Sequence, residues 1–238
     1  PLGEYGSMYL AASQQTYWNT NNKDTLYQVG YNTSVHEIYL NIAYNYSKSP
    51  GSDADRILSV NVSLPISNWL SPAVDGRTAT NSMTATYGYS QDNSGHVNQY
   101  AGVSGSLLEQ HNLNYNIQQN FANQNNGENG AVGLNYRGTY GSLNSGYSYD
   151  NNGNQQFNYG LSGALVVHEN GLTLSQPLGE TNILIKAPGA NNVNVERGTG
   201  VKTDWRGYAV VPYATEYRRN NISLDPMSMS MHTELDAT

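Results

Sequence analysis

Apolar and polar residues alternate with a period close to two over most of the first 167 residues, the spacing of strands with one greasy and one wet face. The clearest run is Ile38–Ser47. Ile38, Leu40, Ile42, Tyr44 and Tyr46 fall on one side, and Tyr39, Asn41, Ala43, Asn45 and Ser47 on the other. Leu58, Val60, Val62 and Leu64 likewise oppose Ser59, Asn61 and Ser63, and Tyr27, Val29 and Tyr31 oppose Gln28, Gly30 and Asn32. Further on, Leu113, Tyr115 and Ile117 oppose Asn114, Asn116 and Gln118, and Val132, Leu134 and Tyr136 oppose Ala131, Gly133 and Asn135. The pattern predicts about ten strands, over 6–18, 25–33, 37–48, 57–64, 81–90, 98–108, 112–121, 130–137, 142–149 and 155–167, with no helix. Turn chemistry separates them: Asn-Thr-Asn-Asn at 19–22, Asp-Asn-Ser-Gly at 92–95, Asn-Asn-Gly-Glu-Asn-Gly at 125–130 and Asp-Asn-Asn-Gly at 150–153. Pro50, Pro65 and Pro72 are expected in connectors, since proline cannot donate to a ladder.

The texture changes near Glu169. Residues 171–238 carry Pro177, Pro188, Pro212 and Pro226 and a denser set of charges, Asp204, Arg206, Glu216, Arg218 and Arg219. Short strands are expected at Thr181–Lys186, Gly207–Val211 and Asn221–Leu224. The chain is therefore expected to divide into 1–170, a run of amphipathic strands, and 171–238, a small β domain expected to be truncated.

Two architectures compete for the alternating strands. In a soluble sandwich the apolar face packs on a second sheet; in a membrane barrel it meets lipid and the polar face lines a watery lumen. Composition favours the barrel. The chain has 20 Tyr and 24 Gly but 2 Phe, and 12% charged residues, where the wet face of a soluble sheet normally carries more charge. Several strands end in Tyr or Trp (Tyr17, Trp18, Tyr44, Tyr46, Tyr87, Tyr89, Tyr147 and Tyr149), as aromatic girdles at membrane interfaces do. Odd-numbered connectors are expected to be longer than even ones, Ala122–Asn129 against Ser34–His36 and Glu109–His111, with Pro65–Thr80 as an exception. If the first strand runs outward, the tenth returns the chain to the periplasm near Glu169. The net charge of −7 disfavours nucleic acid, and the absence of Cys removes disulfides and thiolate ligands. Pro1-Leu2-Gly3-Glu4 has no charged n-region or apolar h-region, so any export signal is expected upstream and the chain is expected to be a fragment.

The run Gly200-Val-Lys-Thr-Asp-Trp-Arg-Gly-Tyr-Ala-Val-Val-Pro-Tyr-Ala-Thr-Glu-Tyr-Arg-Arg-Asn220 resembles the start of the C-terminal periplasmic region of fimbrial ushers of the chaperone–usher pathway. So do Leu174-Ser-Gln-Pro-Leu-Gly-Glu-Thr-Asn182 and Ile185-Lys-Ala-Pro-Gly-Ala190. Gly6–Leu10, Gln15–Trp18, Ser104–Glu109 and Leu134–Gly138 resemble later barrel strands of type 1-like ushers. The resemblance implies an all-β fold: an antiparallel transmembrane β-barrel segment followed by an incomplete β-sandwich. It implies an outer-membrane pore that secretes pilus subunits, with outer-membrane lipid, periplasmic chaperone–subunit complexes and the remaining usher domains as partners. Counterparts of the family's N-terminal domain, plug and final C-terminal domain are not matched. A passive porin-type barrel and a soluble carbohydrate-binding β protein remain as alternatives.

Asn41, Asn45, Asn61, Asn114, Asn116, Gln118 and Asn158 are the candidate lumen-lining residues, or else ordinary polar strand residues. Asp204-Trp205-Arg206-Gly207-Tyr208 is the sharpest local cluster. Trp beside Arg suits a protein-contact anchor; the alternative is a Trp in a small β core with Asp204 and Arg206 near a turn. Catalysis and cofactors have no candidate. His36, His96, His111, His168 and His232 are scattered without ligand spacing. Asp53 and Asp55 are too sparse for calcium, Gly102–Gly105 leads into no helix, and no Gly-x-Ser-x-Gly elbow occurs. The chain is expected not to be an enzyme.

Overall fold

Alternation along the chain becomes a meander of ten strands: β1 Ser7–Thr16, β2 Lys23–Val35, β3 Ile38–Lys48, β4 Asp55–Pro65, β5 Ser82–Asp92, β6 Val97–Leu107, β7 Leu113–Ala122, β8 Glu128–Gly138, β9 Gly141–Asp150 and β10 Gln155–Ser162. They form one sheet in sequential order, β1 to β10. A computed structural model describes residues 5–18, 22–67, 82–108, 110–124 and 127–229. By packing, the chain falls into two compact units, 1–105 with 116–132 and 147–156, and 106–115 with 133–146 and 157–238.

Register carries the faces across neighbouring strands. On one side Tyr31 opposes Ile42, which opposes Val60, which opposes Tyr89; Val29, Tyr44 and Leu58 form the next row. On the other side Asn32, Asn41, Asn61 and Gly88 are aligned. Among the described residues no second layer covers the apolar side. Tyr44 is 43% and Leu58 44% exposed, whereas Ala43 on the polar side is 6% exposed. A soluble sandwich would cover those side chains, gaining about 1.5–3 kcal/mol for each one buried. Every Asp, Glu, Lys and Arg in the ten strands is a terminal residue or next to one. Strand centres are free of charge on both faces; on the lipid face of a membrane barrel such charge is costly.

Connectors depart from expectation. Those at one end cover 17–22, 49–54, 93–96, 123–127 and 151–154; those at the other cover 36–37, 66–81, 108–112 and 139–140. The contrast holds for the two-residue links, but the link before β7 is as long as the link after it. At 36–37 both residues have positive φ (His36 48°, Glu37 67°), the I′-type turn whose twist suits a hairpin. Pro65 is the last residue of β4 rather than a connector residue, a strand end where the missing N–H is tolerated. Pro72 lies outside the described residues. Ring pairs Tyr27–Tyr46 (5.9 Å) and Tyr147–Tyr149 (6.3 Å) sit towards the strand ends nearest the odd connectors, and Phe157 and Tyr159 pair within β10 (5.9 Å).

The expected tenth strand, 155–167, is divided. It breaks at Gly163, where a Cβ would lie 3.0 Å from the Ser175 carbonyl oxygen and 3.1 Å from that of Tyr140. Beyond the break, β11 (Ala164–His168) pairs with β12 (Gly171–Ser175), and β13 (Ile183–Lys186) with β14 (Tyr208–Val211). β12 lies against β14. Val195, Val201, Ala209 and Val211 form a buried core flanked by Ile183, Ile185, Ile222 and Leu224. Of the expected strand at 221–224, only Leu224 makes a bridge, to Val195. A 3-10 turn at Pro226–Ser228 is capped by Asp225, whose side chain accepts from the Met227 amide.

Candidate lumenal face and C-terminal turn

On the polar face the side-chain amides form a relay across the sheet. Asn41 Nδ2 donates to Asn32 Oδ1 at 2.7 Å, and Asn61 Nδ2 donates to Asn41 Oδ1 at 3.1 Å. The Tyr39 hydroxyl also donates to Asn32 Oδ1, at 2.9 Å. From β6, the Tyr100 hydroxyl reaches Asn61 Oδ1 at 3.1 Å by lying across Gly88 of β5. A Cβ at Gly88 would sit 2.0 Å from the Tyr100 ring. Tyr9 lies over Gly30 in the same way, 2.1 Å from a Cβ there. Tyrosine rings thus fill the gaps left by strand glycines, on the polar side of the sheet. Such uncharged amide chains are satisfied internally and present no fixed charge.

The seven lumenal candidates separate into two sets. Asn41 and Asn61 belong to the relay and are half-buried. Asn45 is half-buried beside them, opposite Ile57, and its enclosed Oδ1 has no donor among the described residues. Asn114, Asn116, Gln118 and Asn158 are exposed. Gln118 donates to Asn120, which donates to Asn129, at 2.8 and 2.7 Å. Asn158 faces Gly146, and Asn144 faces Gly160, with side-chain oxygens 2.6 and 2.7 Å from where a Cβ would stand. Those four residues share one side of β9 and β10; Leu143 and Leu161 fall on the opposite side. Asn32, Gly88 and Tyr100 were not among the candidates. Asn32 is visible in the alternation, but Tyr100 reads as apolar until its hydroxyl is placed.

Asp204, Trp205, Arg206 and Tyr208 fold as a tight turn between Thr203 and β14. The Asp204 amide donates to the Tyr208 carbonyl at 2.7 Å and the Gly207 amide to the Asp204 carbonyl at 3.0 Å. Asp204 Oδ1 accepts the amides of Arg206 (2.8 Å) and Tyr208 (2.9 Å); Oδ2 accepts Arg206 Nε (3.2 Å) and Nη2 (2.9 Å). Burial raises the Asp204 pKa, but these amides and the guanidinium outweigh it and hold the carboxyl below its ordinary value. The Arg206 guanidinium continues to the carbonyls of Leu172 and Asn170 and to Thr173 Oγ1, tying the turn to β12. Tyr208 is 6% exposed and stacks on His168 at 4.6 Å. Asp204 and Tyr208 are both buried, at 6% exposure. Trp205 is 79% exposed because it occupies the outward second position of the turn, with Arg206 stacked on it at 5.5 Å.

A family model for "Outer membrane usher protein" matches residues 1–238. The chain belongs to the outer membrane usher family. Its similarity to named ushers spans the sheet and the C-terminal segment alike. Probable outer membrane usher protein ElfC of Escherichia coli O157:H7 is 48% identical over 99% of the chain, and outer membrane usher protein FimD of E. coli K12 is 44% identical over 99%. The chain spans 28% of ElfC and 27% of FimD. Among solved structures, a cryo-EM structure of the E. coli P pilus tip assembly intermediate PapC-PapD-PapK-PapG matches 97% of the chain and 27% of its counterpart. The TM-score is 0.71 and the identity 21%, which establishes the shared all-β fold. As an usher, the chain belongs to the outer membrane of a Gram-negative bacterium.

Proposed function

We propose that this chain is the second part of an usher pore that passes pilus subunits, delivered by a periplasmic chaperone, across the outer membrane. Residues 1–170 supply transmembrane strands and 171–238 begin a C-terminal periplasmic domain. The observation that carries this reading is the asymmetry of the sheet. Tyr44, Leu58 and their row are uncovered on one side; the Asn32–Asn41–Asn61–Tyr100 relay occupies the other. PapC has been captured in a pilus tip assembly intermediate with PapD, PapK and PapG, and the same kind of assembly is proposed for this usher.

Transport here involves no bond-making chemistry and no cofactor, and the protein is read as a conduit rather than an enzyme. A wall of amides and hydroxyls with charge confined to strand ends offers a passing folded subunit many weak, exchangeable hydrogen bonds and few ion pairs that would hold it. The test is a full-length usher in which Asn41, Asn61 and Asn116 are replaced by Arg. Piliation is expected to fall sharply while the barrel still inserts and shows heat-modifiable migration. Normal piliation by the inserted variant would contradict the reading.

A further inference from the structure

Where the turn between β8 and β9 meets the C-terminal segment, an open groove of ≈ 660 Å³ has two unlike walls. Tyr136, Tyr140, Leu143 and Leu161 form one; Asn192 and Lys202 belong to the other. Leu143 and Leu161 lie on the lipid side of β9 and β10, as the Asn144–Gly160 and Asn158–Gly146 contacts on the opposite side require. The polar wall is fixed to the apolar one. Thr139 Oγ1 accepts the Lys202 amide at 3.2 Å and donates to the Gly200 carbonyl at 3.1 Å. The Asn112 side chain donates to the Arg137 carbonyl at 2.8 Å at the foot of the same turn. Lys202 makes no ion pair among the described residues.

We propose that this groove holds one anionic glycerophospholipid of the periplasmic leaflet, its acyl chain along Leu143 and Leu161 and its phosphate at Lys202. Each half of the lipid has a matching wall, and two tyrosines stand at the boundary, where amphipathic rings favour the headgroup level. The choice of leaflet rests on the proposed pore, which puts this end of the sheet and the C-terminal segment in the periplasm. A free phosphate ion would use Lys202 alone and leave the apolar wall uncovered. A lipid covers both, and a lysine near an anionic headgroup is a favourable pairing.

The experiment uses the full-length usher in mild detergent with added phosphatidylglycerol, and native mass spectrometry to count retained lipid. Lys202→Glu is expected to weaken retention about fivefold, the effect of one lysine at an anionic surface; Lys202→Arg is expected to retain lipid like the parent. A photoactivatable phosphatidylglycerol is expected to label 136–143 and 192–202 in the parent and to lose that labelling in Lys202→Glu. Unchanged retention and labelling in a Lys202→Glu protein that still shows heat-modifiable migration would overturn the lipid site and leave the pore untouched. Displacement of the lipid by inorganic phosphate would overturn it in favour of a simple anion site. A parent protein that never forms a heat-modifiable barrel would overturn the pore reading, and the lipid site with it.

Discussion

Asp150-Asn-Asn-Gly153 at a hairpin tip of the sheet and Asp204-Trp-Arg-Gly207 in the C-terminal segment make the same turn in different surroundings. In both, the aspartate amide donates to the carbonyl four residues on, and the glycine amide donates back to the aspartate carbonyl. In both, Oδ1 accepts two amides, from Asn152 and Asn154 or from Arg206 and Tyr208, and the glycine has φ near +83° or +84°. The difference lies in what surrounds the turn. A Cβ at Gly153 would meet nothing within 4 Å, whereas at Gly207 it would stand 2.0 Å from the Ala187 carbonyl oxygen. The second oxygen of Asp150 accepts the local Asn154 side chain; that of Asp204 holds an arginine that reaches β12. One turn ends a hairpin. The other joins two small sheets around a core.

The largest effect should come from Gly207. Gly207→Ala adds a clash with backbone to an unfavourable φ and is expected to destabilise the C-terminal segment by about 3 kcal/mol or more. Gly153→Ala adds only the left-handed penalty, about 1–2 kcal/mol, confined to its hairpin. Hydrogen exchange of β13 and β14 amides in the full protein reads both; equal loss of protection would break the comparison. Asp204→Ala comes next, at about 3 kcal/mol, because Arg206 and two amides lose a buried acceptor. Asp150→Ala should leave β13 and β14 protection unchanged.

Acid should separate the same two sites. The folded pKa of Asp204 is depressed, so its contribution is complete above the unfolded carboxyl pKa, about 4, and is lost as pH falls through the lower folded value. Protection of β13 and β14 is therefore expected to decline below about pH 4 in the parent. The decline should be shallower in Asp204→Asn, which has no proton to gain; parallel pH profiles would refute the assignment. The smallest effect is expected at Trp205. Its exposed ring stacks only on Arg206, so Trp205→Ala should change stability by about 1 kcal/mol or less, leaving any loss of piliation attributable to a lost contact.

The sheet was legible because alternation with a period of two has one dominant physical cause, a strand between unlike media, repeated in Ile38–Ser47, Leu58–Leu64 and Val132–Tyr136. Its strand ends were less so: β10 stops at Ser162 because Gly163 admits two carbonyls, a contact made by residues distant in sequence. β12 is too short, at Gly171–Ser175, for alternation to declare it. The Asp204 turn was visible as Asp-x-x-Gly, but the position of Trp205 was not, since tryptophan's average burial says nothing about the outward corner of a particular turn. The amide relay was half visible. Asn41 and Asn61 declare themselves by alternation, while Tyr100 joins them only because Gly88 leaves room.

The sidedness of the sheet is tested most directly by a single-cysteine scan of Leu58–Ser63 in an otherwise cysteine-free full-length usher, reconstituted in bilayers. The scan compares a lipid-borne quencher with a membrane-impermeant thiol reagent. Positions 58, 60 and 62 should answer to the lipid-borne probe and positions 59, 61 and 63 to the aqueous one. A reversed alternation, or the same response at all six, would contradict the account.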